Sequence, residues 1–427
     1  MTMGIILCCG IILIPQLLEF LRSFVEWINS LTWVDFILIF WPLLIIDFLR
    51  AILKVAIIGI HAVYSRIHKV NYPGYFVPKV SIIIPAHNEE KVIVRSIESA
   101  LETDYPNKEI LVVDDGSTDR TYQLAYPYAE RGLIKLLRRD VASGSKAGAL
   151  NHGLMFATGD MIVTVDADTM LERGAIKEVI KPLSNPRISA VSGNVRVLSG
   201  EHGKNNLLVR LQAYEYLLSL ELGRRFNSIV GTLLIISGAF GAFWRKYVES
   251  LGRYDKDTIT EDFDITVKMR KLGRRLFFAE KAVAWTFVPE KLRDWRRQRL
   301  RWTIGQAETL WKHRNVFRRE TFELRFVAAV YDMLFMDIIL LFIRMLWTSV
   351  MLITLKQTFL YVVLLSAILY LLLEFFLVIT AGLLSPRKND LKKVYLAPVM
   401  VLFYRPLYAL VRLEAYIRWA LKRKTKW

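Results

Sequence analysis

The sequence predicts an α/β body, a parallel sheet with crossover helices, inserted between membrane helices. Three observations carry that expectation. The 427 residues combine 54% hydrophobic residues with a net charge of +18 and a positive mean hydropathy, so the apolar residues must be concentrated in particular stretches, and these lie toward the two ends. Between them, residues 73–312 change to short β-branched runs alternating with amphipathic stretches, the pattern of strands joined by crossover helices. Acidic loops recur where those strands end, the place at which open α/β sheets bind ligands.

The same composition excludes a disordered chain. Only two cysteines are present, Cys8 and Cys9, adjacent in an apolar run, so neither a disulfide framework nor a structural zinc site is available within one chain. The six histidines show no HExxH-like spacing. The basic residues cluster beside apolar runs and no nucleic-acid motif is recognisable, so anionic lipid is the expected partner of the positive charge and nucleic acid is not.

Taken in order, residues 4–18 form an apolar run interrupted by Pro15, and residues 33–60 form a second with Asp35, Asp47, Arg50 and Lys54 embedded. Both are long enough to be candidate spans. No Lys or Arg precedes the first run and no small-residue cleavage site follows Leu18, so a retained helix is expected rather than a signal peptide. Buried strands are predicted at 80–85, 110–113 and 161–165, with helices near 88–101, 119–130, 146–156 and 172–181, the first two capped by Asn88 and Asp119. Past Arg325, residues 326–355 and 358–384 are further spans. Residues 395–421 contain Pro398, Arg405, Pro406, Arg412 and Arg418, which favours an in-plane or hairpin ending over a straight crossing. The expected organisation is therefore 1–72 membrane, 73–312 catalytic or binding body, and 313–427 membrane and interfacial. Arg387, Lys388, Lys392 and Lys393 crowd one loop, whereas Arg22 and Lys356 are the basic residues of the opposite loops, which places the body in the cytosol. A final full crossing would put Lys422, Arg423, Lys424 and Lys426 outside.

The acidic loops carry the chemistry. Asp114-Asp115-Gly116-Ser117 follows one strand, and Asp166-Ala167-Asp168 follows another; each alone also reads as a polar turn capping a helix. Carboxylates at i and i+2 of an extended strand end share a side, where they can hold a hard divalent cation that also binds a diphosphate. Lys146, at a helix start, is placed to contact phosphates or simply to begin the helix. Glu261 and Asp262 form a third acidic site. Gln298, Arg301 and Trp302 share one helical face, either as a membrane-surface anchor or as a phosphate contact with a flat surface for a sugar ring. Asp35, Asp47, Asp332, Asp337, Arg344 and Glu374 lie within apolar runs, either lining a polar path or serving as helix-end snorkelers or paired structural charges.

The ordered set PAHNEE (85–90), DDGSTD (114–119), SKAGALN (145–151), DAD (166–168), SGAFGAF (237–243), TED (260–262) and QRLRW (298–302) resembles the processive membrane glycosyltransferases of family 2, which include cellulose, chitin, hyaluronan and poly-N-acetylglucosamine synthases. The resemblance covers roughly residues 78–312 and implies a GT-A fold using a nucleoside-diphosphate sugar with inversion. It assigns Asp114 and Asp115 to the uridine, Lys146 and Asp166 to the donor phosphates, and Asp166 with Asp168 to Mn2+ or Mg2+. Asp262 becomes the general base, while Glu261, Gln298, Arg301 and Trp302 line the acceptor and diphosphate side. The implied activity is elongation of a β-linked polysaccharide at the plasma membrane, first from UDP-N-acetylglucosamine, or transfer of one or two sugars to a membrane lipid; a binding protein without turnover is the remote alternative. The implied partners are a UDP-sugar, a growing glycan or lipid acceptor and the bilayer, with room for an accessory membrane subunit.

Overall fold

The computed structural model describes residues 2–68, 76–198, 206–317 and 323–421. The expected boundary at 72/73, the side chains of Cys8 and Cys9, and the basic tail of Lys422, Arg423, Lys424 and Lys426 lie outside the described residues.

Among the described residues one eight-stranded sheet organises the body, in the order β3-β2-β1-β4-β7-β6-β8-β5. Its strands are β1 Val80–Ala86, β2 Lys108–Asp115, β3 Lys135–Arg139, β4 Met161–Val165, β5 Thr169–Leu171, β6 Ile188–Val197, β7 Phe240–Trp244 and β8 Arg275–Thr286. β1, β2, β3 and β4 are parallel, as the sequence pattern predicts. The expectation of an all-parallel sheet is corrected beyond them, because β7 runs antiparallel to both β4 and β6, and β5 antiparallel to β8. The Gly-rich stretch around residue 240 is small enough to be buried as a central strand, and it reverses the chain direction in mid-sheet.

The unbroken apolar run of β1 is explained by burial on both faces. Ile82 and Ile84 join a core with Ile93, Ile97 and Ile176, while the intervening Ile83 joins one with Leu150, Leu154 and Ile265. Helices Ile93–Leu101, Thr121–Glu130 and Ala175–Ile180 contribute to the first layer, and Lys146–Phe156 and Glu261–Lys271 to the second. The helix predicted from Asn88 begins at Ile93 instead. Asn88 takes a left-handed conformation (φ 58°) that short polar side chains tolerate, and its Oδ1 accepts from the Thr118 amide at 2.9 Å, tying the β1 and β2 loops together. Asp119 accepts from the Thr121 amide at 2.9 Å, but the cap position is Arg120.

Four described helices are long and apolar enough to cross a membrane: Trp33–Ile67, Leu324–Thr354, Phe359–Leu384 and Lys388–Ala420. The Thr2–Ser30 helix precedes them and contains Pro15. Four carboxylates of these segments meet arginines. Asp47 meets Arg344 at 2.7 Å, Asp332 meets Arg50 at 2.5 Å, Glu374 meets Arg405 at 2.7 Å and Asp337 meets Arg412 at 3.1 Å. Asp35 forms a capping box with Thr32. Of the two sequence readings, paired structural charges is the one the structure bears out.

A buried ion network joins the body to the membrane helices. Glu221, fully buried, accepts from Asn194 at 3.1 Å, Arg196 at 2.7 Å and Arg225 at 2.5 Å. Arg196 also pairs with Asp390, beyond the Phe359–Leu384 helix. Neutralising one member leaves its buried partners uncompensated. Glu221→Gln is expected to cost about 3–5 kcal/mol, seen as a lower thermal midpoint of the detergent-solubilised chain by fluorescence-detected gel filtration.

Candidate active site

The β1–β2 register pairs Ala86 with Asp114, so the loops following the two strands leave the sheet side by side. Gly116 turns the chain at φ +69°, and a Cβ there would lie 2.5 Å from the Ala142 amide nitrogen, so only glycine lets the 141–144 loop pass this close. That loop engages Asp115, whose carboxylate accepts from the Ser143 amide at 3.0 Å and hydroxyl at 2.6 Å and pairs with Arg139 at 2.9 Å. Asp114 is fully buried; its Oδ1 accepts from the Ser117 amide at 3.2 Å, while Oδ2 has no hydrogen-bond partner. The two adjacent aspartates therefore differ: Asp115 holds a loop, and Asp114 keeps a buried Oδ2 without a hydrogen bond, 3.8 Å from the Arg138 guanidinium.

Lys146 is the centre of the site. Ser145 caps the Lys146–Phe156 helix by accepting from the Gly148 amide, which fixes Lys146 as the first helical residue. Its ammonium pairs with Asp166, donates to the Gly238 carbonyl at 3.1 Å and lies 3.6 Å from Glu261. Asp262 accepts from the Gly238 amide at 3.0 Å. The antiparallel pairing of β4 with β7 makes this possible, because it sets Val165 opposite Phe240 and brings residue 166 beside 239, where the Asp166 amide donates to the Ala239 carbonyl at 3.3 Å. The structure thus gathers Lys146, Asp166, Glu261 and Asp262 from three separated motifs around Gly238 of a fourth.

Electrostatics follow from that packing. Burial works against the charged form of Lys146, yet Asp166, Glu261 and Asp262 outweigh it and hold the ammonium above the usual lysine range. Burial pushes Glu261 up. Burial and the neighbouring Asp166 raise Asp168 to about 6, while the Thr286 and Thr169 hydroxyls, each 3.3 Å from its Oδ1, favour the carboxylate. Asp168 lies in a turn, not on an extended strand as the i, i+2 argument assumed; the chain folds back at Thr169, whose amide donates to the Asp166 carbonyl, and the two carboxylates still face each other closely enough to interact.

Three residues escaped the sequence reading. Glu89 is raised to about 7 by burial and by the charges of Asp168, Asp166 and Asp119, so it faces the same acidic centre; its signal was its place within PAHNEE. Arg224 has its charged form opposed by burial and favoured by Asp262, and no local motif marks it. Arg299, between the expected Gln298 and Arg301, is the buried arginine of its helix, Leu292–Lys312. It pairs with Glu215 at 2.6 Å and its guanidinium lies 4.4 Å from the Trp302 ring centroid. Arg301 is exposed, while Gln298 and Trp302 are half-buried. This helix is joined to the acidic centre through the Thr260–Thr309 hydroxyl contact at 3.1 Å and through Tyr216, a buried hydroxyl close enough to feel both Arg299 and Asp168.

Residues 81–252 match the family described as Glycosyl transferase family 2. They form a family 2 glycosyltransferase domain. The chain is 30% identical over 248 residues to a poly-beta-1,6-N-acetyl-D-glucosamine synthase of Staphylococcus epidermidis, covering 58% of this chain and 59% of that protein. It is 32% identical over 232 residues to the synthase of the same description from Staphylococcus aureus strain COL, covering 54% and 55%. The chain thus spans little more than half the length of these curated relatives. A mannosyltransferase from Pyrobaculum calidifontis, solved in complex with GDP-Man and Mn2+, superposes with a TM-score of 0.58 at 20% identity, covering 88% of this chain and 99% of that one. The likeness is one of fold, and it takes in helices beyond the GT-A-like body as well as the body itself.

Gly238 gives a sharp test of this centre. A Cβ at residue 238 would sit 3.0 Å from the Lys146 ammonium and 3.1 Å from the Asp262 carboxylate. Gly238→Ala is expected to reduce sugar transfer by about tenfold or more, since displacing reacting groups by an ångström costs up to about a hundredfold, with little change in thermal midpoint. Wild-type turnover in that variant would show that the three groups need not stay in register.

Proposed function

We propose that this protein is a membrane-embedded inverting glycosyltransferase that adds sugars, first of all from UDP-N-acetylglucosamine, to the end of a growing β-linked polysaccharide. The observation that carries the proposal is the gathering of Lys146, Asp166, Glu261 and Asp262 around Gly238 within a family 2 domain. The two staphylococcal relatives, named as poly-beta-1,6-N-acetyl-D-glucosamine synthases, support the choice of sugar and of a polymeric product. The catalytic body is proposed to face the cytosol beneath the plasma membrane, supported by the basic loop of Arg387, Lys388, Lys392 and Lys393.

In this reading the acceptor hydroxyl attacks the anomeric carbon, the bond from that carbon to the diphosphate oxygen breaks, and UDP leaves with the electron pair. Asp262 takes the acceptor's proton, and its bond from the Gly238 amide keeps the carboxylate aimed. Lys146 carries a firmly held positive charge to the donor phosphates. Asp114 and Asp115 take the uridine side of the donor, with Asp115 keeping the loop in place. Gln298, Arg301 and Trp302 line the acceptor and diphosphate side, with Arg299 beneath Trp302 fixing its ring.

A divalent cation, Mn2+ or Mg2+, fits the centre. Burial and the neighbouring Asp166 disfavour the charged form of Asp168, and Asp166 already attracts a cation in the Lys146 ammonium. No group of three or more His, Cys, Asp or Glu is arranged as a metal site among the described residues, so phosphate oxygens of the donor would complete the ion's shell. Bound there, the ion would neutralise charge on the departing diphosphate.

The test uses purified chain in lipid nanodiscs with Mn2+ and radiolabelled UDP-N-acetylglucosamine or UDP-glucose, with products sized by gel. A high-mass smear from UDP-N-acetylglucosamine that disappears with EDTA is expected. A single small, organic-extractable product would overturn polymer synthesis in favour of glycolipid synthesis. Asp262→Asn is expected to lower turnover by about 10²–10⁴-fold while UDP binding, measured calorimetrically, stays unchanged; wild-type turnover would remove Asp262 as the base.

A further inference from the structure

A cavity of about 350 Å3 lies where the sheet meets the loop after the Phe359–Leu384 helix. Four cationic side chains line it, Arg196, Arg387, Lys388 and Lys393, against one carboxylate, Asp390. Asp390 is already shared, pairing with both Arg196 and Lys393. Arg387 pairs with Glu172 and sits over the Trp285 ring, 5.6 Å from its centroid. Lys388 is exposed and has no ion pair or hydrogen bond among the described residues. The positive charge facing the cavity therefore exceeds what its own carboxylate neutralises. The opposite wall is apolar, formed by Val197, Leu217 and Leu220.

We propose that this pocket is a phosphate-binding site at the membrane face, accommodating the phosphate of an anionic lipid headgroup or a free phosphate. Its cations have the chemistry for a tetrahedral anion: Arg196 is held by Glu221 and Asp390 and only frames the pocket, while the Arg387 guanidinium keeps donors beyond its one bond to Glu172 and Lys388 supplies an unpaired point charge. The lipid source is favoured by two placements. The basic rim belongs to the Lys388–Leu396 segment, directly after a helix apolar enough to span a membrane, so it lies where headgroups would be. The apolar wall gives the carbon skeleton behind a phosphate a surface to rest on, which a free inorganic phosphate does not need. The pocket adjoins the sugar-transfer centre without sharing its acidic groups: Trp285 lines the pocket, and the next residue, Thr286, donates to Asp168 at 3.3 Å. The proposal does not depend on the sugar-transfer reading, because binding alone tests it.

Native mass spectrometry of the full chain in detergent, with EDTA present, would count retained phosphatidylglycerol or phosphatidylcholine and, separately, inorganic pyrophosphate. Wild type is expected to retain one phosphatidylglycerol in preference to phosphatidylcholine. The double variant Lys388→Ala, Lys393→Gln should bind it about ten- to thirtyfold more weakly, the effect of two lysines near an anionic headgroup. Lys388→Arg, Lys393→Arg should restore it, which separates charge from a folding defect. If pyrophosphate binding instead shows that dependence on the two lysines, the phosphate site stands and its source is soluble. Equal retention of both lipids and of pyrophosphate by wild type and the double variant would overturn the site.

Discussion

The Lys146 ammonium is the contact on which the active centre depends. Asp166, Glu261 and Asp262 come from regions of the chain separated by almost a hundred residues, and gathering that many carboxylates in a partly dehydrated cleft is unfavourable unless a cation is fixed among them. Lys146 supplies it from a capped helix start and simultaneously bonds the Gly238 carbonyl. Gly238 uses its other backbone group, the amide, on Asp262. One peptide segment therefore sets the spacing between the cation and the proposed base, and it does so with main-chain groups that no side-chain substitution elsewhere can replace.

That geometry also shows what was legible in the sequence. β1, β2, β4 and the Lys146–Phe156 helix could be read because each has a local signal: a β-branched run burying both faces, or a serine cap before a helical stretch. The reversal at β7 has no such signal. Its Phe240-Gly241-Ala242-Phe243 run is compatible with either direction, and direction is decided by which neighbours it packs between. Yet the reversal is what carries Gly238 to Asp166, so the acidic motifs were visible one by one while their convergence was not. Arg299 illustrates the same limit on a helix. Spacing identified the face shared by Gln298, Arg301 and Trp302, but an arginine becomes a buried group only when a carboxylate such as Glu215 is waiting for it, and Glu215 lies 84 residues away.

Neutralisation of buried charge recurs in the rest of the molecule with different consequences. At the join between body and membrane helices, Glu221 satisfies two arginines and Arg196 reaches on to Asp390, so the sheet strand and the loop after the Phe359–Leu384 helix are held by one charge network. Within the membrane segments, the pairs of Asp47 with Arg344 and Glu374 with Arg405 connect stretches distant in sequence. Such pairs contribute little net stability once desolvation is counted, but they disfavour every arrangement in which one partner is left alone. They select one packing of the helices.

Charge balance then separates places that hold the fold from places open to a ligand. Glu221, Asp47 and Glu374 each have their arginine, and a satisfied pair has no further call on a substrate. Among the described residues, the centre around Asp166 and Asp168, where carboxylates exceed the one lysine, and the pocket rimmed by Lys388, where the lining's cations exceed its one carboxylate, both depart from balance. An excess of acid suits a metal ion carrying a diphosphate, and an excess of base suits a phosphate directly. The two imbalances are opposite in sign and adjacent, so a phosphate in the basic pocket would relieve the repulsion among its cations without adding negative charge to the acidic centre itself.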